Sequence, residues 1–201
     1  MRSYTVKKIA GKPDWNQIPV MPIDTVLWTE FTDVTAQAQV CWDEEALYVR
    51  QEVVEPHIRK EETGLLASVC LDSCLEFFIR PTERLEYFNI EMNPNRALWL
   101  GYGTTTAGLI RLLVPDVEKL LDSKVEFTEK GWVLTYRVPF AFIDRFFPDF
   151  EAKEGVKMYA NAYKCGDNTK YPHYLSWNPI ESETPNFHLP KCFGELILGG
   201  K

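Results

Sequence analysis

A chain of 201 residues with 45% hydrophobic and 25% charged side chains has the composition of a globular domain, which excludes disordered, collagen-like and coiled-coil proteins. Acidic side chains outnumber basic ones by 29 to 22, giving a net charge of −7, so no positive field is present to attract a nucleic acid. Its apolar stretches stop well short of the roughly 20 residues that a membrane-spanning helix needs, so no membrane partner is expected.

The N-terminal segment and the cysteines indicate a cytoplasmic protein. Lys7, Lys8 and Lys12 interrupt the region where a secretory signal needs an unbroken apolar core. The five cysteines form an odd set without a CxxC pair, which argues against a disulfide framework. We therefore expect reduced, buried thiols and a cytoplasmic location.

The first thirty-five residues predict a lead-in strand near 4–9 and a long wrapping loop, because prolines and aspartates interrupt any regular period after the strand. From residue 36 onward, apolar residues alternate in AQAQVCW and again in ALYVRQEVV, with the polar segment WDEEA at their junction. This pattern predicts a β-hairpin.

Two further strands carry carboxylates on their polar faces. In CLEFFIRP, Glu76 alternates with the apolar residues Leu75 and Phe77, and in EYFNIEMNP, Glu91 alternates with Ile90 in the same way. We expect both carboxylates to lie on the face away from the aliphatic side chains. That face is either a binding surface or an ordinary solvated sheet face.

Short elements follow in the second half of the chain. The patterns predict a strand at ALWLGYG, a brief helix in VPDVEKLL, a hairpin around TEKG, a helix in PFAFIDRFFP, and strands at VKMYANAYK and FGELILG. Nine or ten short strands with few helices predict an all-β fold, a single antiparallel β-sandwich of immunoglobulin or jelly-roll type. No linker composition divides the chain, so we expect one domain over residues 1–201, with 1–35 as the lead-in strand and wrapping loop.

The two carboxylates permit two kinds of chemistry. A glycan-active hydrolase would need Glu76 and Glu91 about 5 Å apart for retention of configuration, or about 6.5–9.5 Å apart for inversion. A binding protein would use the same groups as hydrogen-bond acceptors for sugar hydroxyls beside an aromatic platform, because a pyranose presents an apolar ring face and a polar rim. The second use is the more economical, and it is the favoured hypothesis.

Six tryptophans supply candidate platforms. Trp42 and Trp132 lie among alternating strand residues and are expected in the core or in turns. Trp177 lies in HYLSWNPIESETPNFHLPKCFGEL, a segment rich in proline, polar and aromatic residues that fits neither a helix nor a strand. Because loops on a rigid β scaffold concentrate binding residues, Trp177 is predicted to face a ligand.

Four blocks of the sequence, WDEEALYVR, DSCLEFFIRP, YFNIEMNPNRALW and WNPIESETPNFHLPKCFGEL, resemble in order and spacing those of family 9 carbohydrate-binding modules and their DOMON-like relatives. The resemblance spans about Val34 to Leu198. It implies a β-sandwich that binds a sugar between two aromatic side chains, with charged and amide groups around the rim. Such modules accompany glycan-degrading enzymes, so the resemblance also implies an association with carbohydrate catabolism.

The resemblance extends to particular positions. It implies that Glu76, together with Asn89 or Glu91, supplies the polar rim. It also implies that Trp177 forms one aromatic wall. In many relatives an aromatic residue precedes the DSC block, where this chain has Cys70. Trp99 or Phe187 is therefore the candidate for the second wall.

The same relatives suggest two cofactors, structural calcium and haem, neither of which the sequence establishes. Some are haem-binding domains with Met and His or Lys as axial ligands, for which this chain offers Met92, Met158 and His173, although nothing in the sequence pairs them. Others hold structural calcium, and acidic residues near predicted turns are the candidate ligands. These acids are Asp43, Glu44, Asp72 and Asp167.

The sequence thus predicts a non-catalytic protein that binds a mono- or oligosaccharide by stacking on Trp177 and by polar contacts. The two carboxylates and Asn89 supply those contacts, with Arg80 or Lys164 as a further candidate. A glycan-active hydrolase and a haem-binding redox domain are the alternatives.

Overall fold

The computed structural model of the chain describes residues 1–30 and 32–200, which form fourteen strands and two short α-helices. The strands are β1 (Ser3–Lys8), β2 (Met21–Ile23), β3 (Thr25–Val26), β4 (Thr35–Trp42), β5 (Ala46–Val54), β6 (Cys74–Arg80), β7 (Tyr87–Met92), β8 (Leu98–Gly103), β9 (Ile110–Arg111), β10 (Lys124–Phe127), β11 (Gly131–Pro139), β12 (Lys157–Cys165), β13 (Tyr174–Ser176) and β14 (Gly194–Leu198). The helices are α1 (Val117–Leu121) and α2 (Phe140–Asp144). Both helices lie where the sequence predicts them.

The strands join in one curled sheet with the order β10-β11-β5-β4-β1-β14-β12-β6-β7-β8-β9, and β2, β3 and β13 pair beside this path. In β1, residues 3–6 run parallel to residues 195–198 of β14, and residues 7–8 run parallel to residues 41–42 of β4. The prediction of a purely antiparallel sandwich is therefore wrong. Strand β1 enters the middle of the sheet in the same direction as both of its neighbours, so the sheet is mixed. The predicted β-rich character with few short helices is confirmed.

The hairpin between β4 and β5 shows how the local sequence sets the register. Trp42 pairs with Leu47, and the ladder continues in register along both strands. In the turn, Oδ1 of Asp43 accepts the backbone N–H groups of Glu45 at 2.8 Å and Ala46 at 3.0 Å. The short acidic side chain thereby satisfies two donors that the turn leaves free.

The curl of the sheet gives both of its halves a common core. Val40 and Leu47, from β4 and β5, are buried in the same apolar cluster as Phe77, Ile90 and Ala162 from β6, β7 and β12. Because side chains alternate across a strand, the polar residues between them project to the opposite face.

A second apolar cluster covers that opposite face of β6, β7 and β12. Phe78, Tyr87 and Tyr163 project into it from the three strands, and loop residues pack over them. These loop residues include Leu27, Ala67, Val69, Ile180 and Phe187. We call this side of the sheet the loop-covered face.

The described helices, at five residues each, are short. Within the described residues, none has the length and apolar character to cross a membrane.

Candidate functional site

A cavity of about 410 Å³ lies at the loop-covered face, a volume within the range of small-ligand sites. Its lining comes from strands β6, β7, β12 and β13 and from the loops around them. The lining residues are Trp28, Cys70, Glu76, Glu91, Thr106, Cys165, Asp167, Tyr174, Thr184, Pro185, Asn186, Phe187 and His188. Three carboxyl groups and three large aromatic rings are thus brought to one place.

Glu76 and Glu91 stand directly opposite each other in the β6–β7 ladder, and both are buried. Sγ of Cys165 donates to Oε1 of Glu76 at 3.0 Å, and Nδ2 of Asn89 donates to Oε1 of Glu91 at 2.6 Å. Loss of hydration, followed by the charge of Glu91, raises the pKa of Glu76 well above its ordinary value. Burial raises the pKa of Glu91 to about 7. The pair therefore holds at least one proton near neutral pH.

Thiols and a third carboxyl group lie beside this pair. Cys74 and Cys165 face each other across β6 and β12, and Cys70 lines the cavity. Burial raises the pKa of Cys74 to about 12. The pKa of Cys165 is raised well above normal by the hydrogen bond between Cys165 and Cys74 and by burial. Both residues are therefore neutral thiols at pH 7. Burial also raises the pKa of Asp167. Ligating atoms of Cys74, Cys165 and Glu76 lie within 4.8 Å of one another.

Trp28, Tyr174 and Phe187 form the aromatic wall of the cavity. The Trp28 ring centroid lies 5.5 Å from that of Tyr174 and 5.6 Å from that of Phe187, which stacks at 4.2 Å on Tyr163 of β12. Nε1 of Trp28 donates to the carbonyl oxygen of Ser182 at 2.7 Å. Trp28 also has φ of 53°, a left-handed backbone conformation that costs a non-glycine residue about 1–2 kcal/mol. The surrounding contacts hold the indole in the wall against this cost.

His188 completes the lining without adding positive charge. Its Nδ1 lies 3.0 Å from the hydroxyl oxygen of Tyr87, and burial lowers the pKa of His188 to about 4. The imidazole is therefore neutral at pH 7. Neither lysine nor arginine contributes to the cavity lining within the described part of the chain.

Three of the eight predicted ligand-binding residues, Glu76, Glu91 and Phe187, line the cavity. Asn89 lies directly behind Glu91, fully buried, and holds that carboxyl group through its amide. The strand alternation in the sequence is what places these polar groups on one face. Their contact with a ligand stays a prediction.

Trp99 and Arg80 share the loop-covered face but do not line the cavity. Trp99 pairs with Glu91 in the ladder, and its ring lies under the guanidinium of Arg111, with Cζ 4.2 Å from the ring centroid. Arg80 stands at the far end of β6, where its Cζ lies 4.1 Å from the ring centroid of Tyr159. Both cationic side chains are thus engaged with aromatic rings outside the cavity.

The structure contradicts the predictions for Trp177 and Lys164. Trp177 is only 2% exposed and packs in the inner core against Gly194. Its backbone N–H continues the pairing with β12 by donating to the carbonyl oxygen of Ala162 at 2.9 Å. Lys164 is fully buried on the inner face of β12, where its Nζ lies 3.1 Å from a carboxylate oxygen of Glu55. Neither side chain reaches the cavity, so neither is a candidate ligand contact.

The residues considered for haem have other surroundings. Met92 and Met158 are buried in the inner core. Nε2 of His173 lies 2.9 Å from Nζ of Lys164, and burial, followed by that cation, lowers the pKa of His173 to about 4. Lys164 and the carbonyl oxygen of Tyr171 thus engage both ring nitrogens of His173.

The acids considered for calcium lie in separate parts of the described chain. Asp43 caps the β4–β5 turn, Glu44 pairs with Lys8 at 2.7 Å, and Asp167 lines the cavity. Asp72 is buried and accepts hydrogen bonds from two backbone N–H groups and from the side chains of two neighbouring residues. These four acids do not form one group.

Sequence reasoning missed Trp28 and Tyr174 as parts of the site. Trp28 stands alone among turn formers, with no periodic pattern around it. The pairing of β3 with β13, which joins Val26 to Leu175, brings the two aromatic residues together. A contact between segments so far apart in the chain leaves no local signal.

Comparisons with known proteins agree with this fold. The model of carbohydrate-binding family 9 matches residues 12–198. A crystal structure of a protein from Bacteroides uniformis, assigned as carbohydrate-binding, has a TM-score of 0.84 at 26% identity and covers 98% of this chain and 99% of its own. No curated protein matches the sequence significantly.

Two further solved structures are family 9 carbohydrate-binding modules from Caldicellulosiruptor kristjanssonii. The one in complex with glucose has a TM-score of 0.71 at 16% identity and covers 100% of this chain and 97% of its own. The one in complex with cellotriose has a TM-score of 0.69 at 15% identity, with coverage of 100% and 95%. At these identities the likeness concerns the fold. Because the family model matches nearly the whole sequence, the chain belongs to carbohydrate-binding family 9.

Proposed function

We propose that this protein binds a mono- or oligosaccharide in the cavity at its loop-covered face without breaking a bond in it. The observation that carries the proposal is the joint presence of an aromatic wall, Trp28 with Tyr174 and Phe187, and of buried carboxyl groups in one cavity of about 410 Å³. Membership of the family supports the same assignment.

The lining suits the two-sided chemistry of a pyranose. An aromatic ring offers an apolar platform for the C–H face of the sugar, while Glu76 and Glu91 offer hydrogen-bonding oxygens to its hydroxyl groups. Sugar hydroxyls exchange hydrogen bonds with water at little net gain, so we expect a modest affinity that depends on stacking. The curled sheet, whose two halves share one core, would serve as the predicted sandwich scaffold that keeps the wall and the carboxyl groups in place.

The first test is a calorimetric titration with glucose and with cellotriose, the ligands named for two structures of the same fold. Trp28→Ala removes the platform and should weaken binding at least about tenfold. Trp15→Ala, a matched control on a tryptophan that does not line the cavity, should leave binding unchanged. Thermal unfolding of both variants checks that the fold persists.

Two outcomes would contradict the proposal. One is the absence of binding to any saccharide in a glycan array. The other is binding that survives Trp28→Ala in a folded variant and also survives Glu76→Gln, which keeps the shape of the side chain but removes its acid group. In either case the cavity is not the sugar site.

The hydrolase alternative rests on the same buried acid pair, since a carboxyl group with a raised pKa is what a general acid requires. A panel of aryl glycosides distinguishes the two functions. Binding without turnover supports our proposal, whereas turnover that disappears in Glu76→Gln or Glu91→Gln would replace it. A role in carbohydrate catabolism is the wider context that we propose for the binding.

A further inference from the structure

The buried carboxylates of this protein differ in how their charge is balanced. Glu55 has Nζ of Lys164 at 3.1 Å, and Asp72 forms an ion pair with Arg59. Glu76 and Glu91 are buried to a similar degree, yet neither has a cationic partner within 4 Å in the described residues. Buried charges are normally paired with a cation, whereas this acid pair has none among the described residues and holds at least one proton near neutral pH instead.

The charged groups around the pair do not remove this imbalance. Asp167 adds a third carboxyl group to the cavity lining, and the imidazole of His188 is neutral at pH 7. Lys164 projects from the other side of its strand toward Glu55. Arg111 on β9 attracts the charge of Glu91 and Lys164 attracts that of Glu76, but neither forms an ion pair with these acids in the described residues.

Arg111 is held away from the acids by other partners. Its guanidinium stacks on the ring of Trp99 and donates to the carbonyl oxygens of Ala67 at 3.2 Å and Leu98 at 2.9 Å. In the structure it is engaged with these partners and forms no ion pair with Glu91. The cavity lining is left with three acids, three aromatic rings and no cation in the described residues.

We infer that the ligand itself supplies the missing cation, and that this cavity selects a sugar bearing a protonated primary amine, an amino sugar with an unacetylated nitrogen. The inference rests on the proposed function and specifies its ligand class. The ammonium group would donate hydrogen bonds to Glu76 and Glu91, as charge-assisted bonds are the stronger kind. Aromatic rings in the lining, Trp28 and Tyr174 among them, would attract the same charge through their ring electrons.

A sugar cation fits this cavity better than a bare metal ion. The space of about 410 Å³ greatly exceeds what one ion occupies, and aromatic rings supply no metal ligands. The group of Cys74, Glu76 and Cys165 is the competing cation site, since its ligating atoms lie within 4.8 Å of one another. Titrations in the presence of a chelator, and a separate titration with Zn²⁺, keep the two apart.

Binding of an ammonium group has a proton balance that a neutral sugar lacks. Glu91, with a pKa of about 7, is roughly half protonated at pH 7, and a cation beside it favours the charged form. The carboxyl group then releases its proton to solvent while the amine keeps its own. Glucosamine binding should therefore release up to about half a proton from Glu91. Glucose should release none.

The experiment compares D-glucosamine, D-glucose and N-acetyl-D-glucosamine by calorimetry at about pH 7, in two buffers of different ionisation enthalpy. We expect glucosamine to bind at least about tenfold more tightly than the other two and to release protons. If glucose binds as tightly as glucosamine, the inference is overturned while the proposed function stands. If no sugar of a wider panel binds, both are overturned.

Two variants assign the preference to the acid pair. Glu91→Gln should bring glucosamine and glucose close to equal affinity and should abolish most of the proton release. The same change at the exposed residue Glu151 should alter neither. A preference that persists in a folded Glu91→Gln variant, or a preference that only Zn²⁺ confers, would contradict the inference.

Discussion

Glu91 links the candidate site to the stability of the whole protein. Burial raises its pKa from 4.5 to about 7, so between these values the folded protein binds more protons than the unfolded chain does. The contribution of this residue to the free energy of unfolding is therefore fully present below about pH 4.5 and is lost as the pH rises through 7.

Glu91→Gln should remove this pH dependence. We compare the unfolding free energy of the variant with that of the natural protein at each pH. This difference should shift in favour of the variant by on the order of 1–3 kcal/mol from about pH 5 to about pH 8, because the glutamine never becomes charged. Urea unfolding at the two pH values measures the difference. An identical effect of the substitution at both would show that Glu91 titrates normally in the folded state.

Only some side chains of the candidate site can be predicted from the sequence. Alternation in β6 and β7 is enough to place Glu76 and Glu91 on the same face, since period two is a local property, whereas their direct pairing depends on the register. The choice between Trp177 and Trp28 was not accessible in this way. Both lie outside regular patterns, and their burial depends on which distant strand each backbone joins: β12 for Trp177, and the neighbourhood of β13 for Trp28.

Strand β12 shows at the scale of an element how one segment serves two environments. Tyr163 and Cys165 belong to the loop-covered face, while Lys164 between them points inward to Glu55. Nε1 of Trp132 also donates to Glu55, at 2.6 Å. A buried ion pair with this many partners connects β11, β12 and the end of β5.

Breaking that pair from one side should be costly. Lys164→Met leaves the Glu55 carboxylate buried without a cation, so we expect a loss of about 3–5 kcal/mol in unfolding free energy. The double variant with Glu55→Gln should lose less than the sum of the two single variants. The exposed pair of Lys157 and Glu195, at 2.6 Å, is the control, and Lys157→Met should cost less than about 1 kcal/mol. Additive effects at Lys164 and Glu55 in a denaturant series would refute the coupling.

Elements of the fold were more predictable than their partners. The hairpins, both short helices and the last strand follow from periodicity and turn residues close in sequence. The parallel pairing of β1 with β4 and β14 does not, because β4 is not joined to β1 by a local turn and β14 lies at the other end of the sequence. The same alternation places Lys164 on the core-facing side of β12, together with Ala162. A buried lysine is not expected from the sequence, because its partner Glu55 lies in a distant segment.

At the scale of the whole molecule, the strand order predicts a gradient of local stability. Strand β12 lies inside the sheet between β14 and β6, whereas β9 and β10 are its two end strands, each paired on one side. Amides in β9 and β10 should exchange by local opening, at least about 100-fold faster than those of β12, which require global unfolding. Deuterium uptake read by mass spectrometry on peptides covering 110–111, 124–127 and 157–165 measures this. Uniform uptake across the three would contradict the gradient.

The position of β1 has a consequence for how the chain is made. Strand β14, its partner, is synthesised almost two hundred residues later, so the middle of the sheet is completed only when the last strand leaves the ribosome. Until then the nascent polypeptide exposes an incomplete edge at β12, a template for wrong pairing. A polypeptide truncated before β14 should therefore aggregate or recruit chaperones and should not form a shorter folded domain.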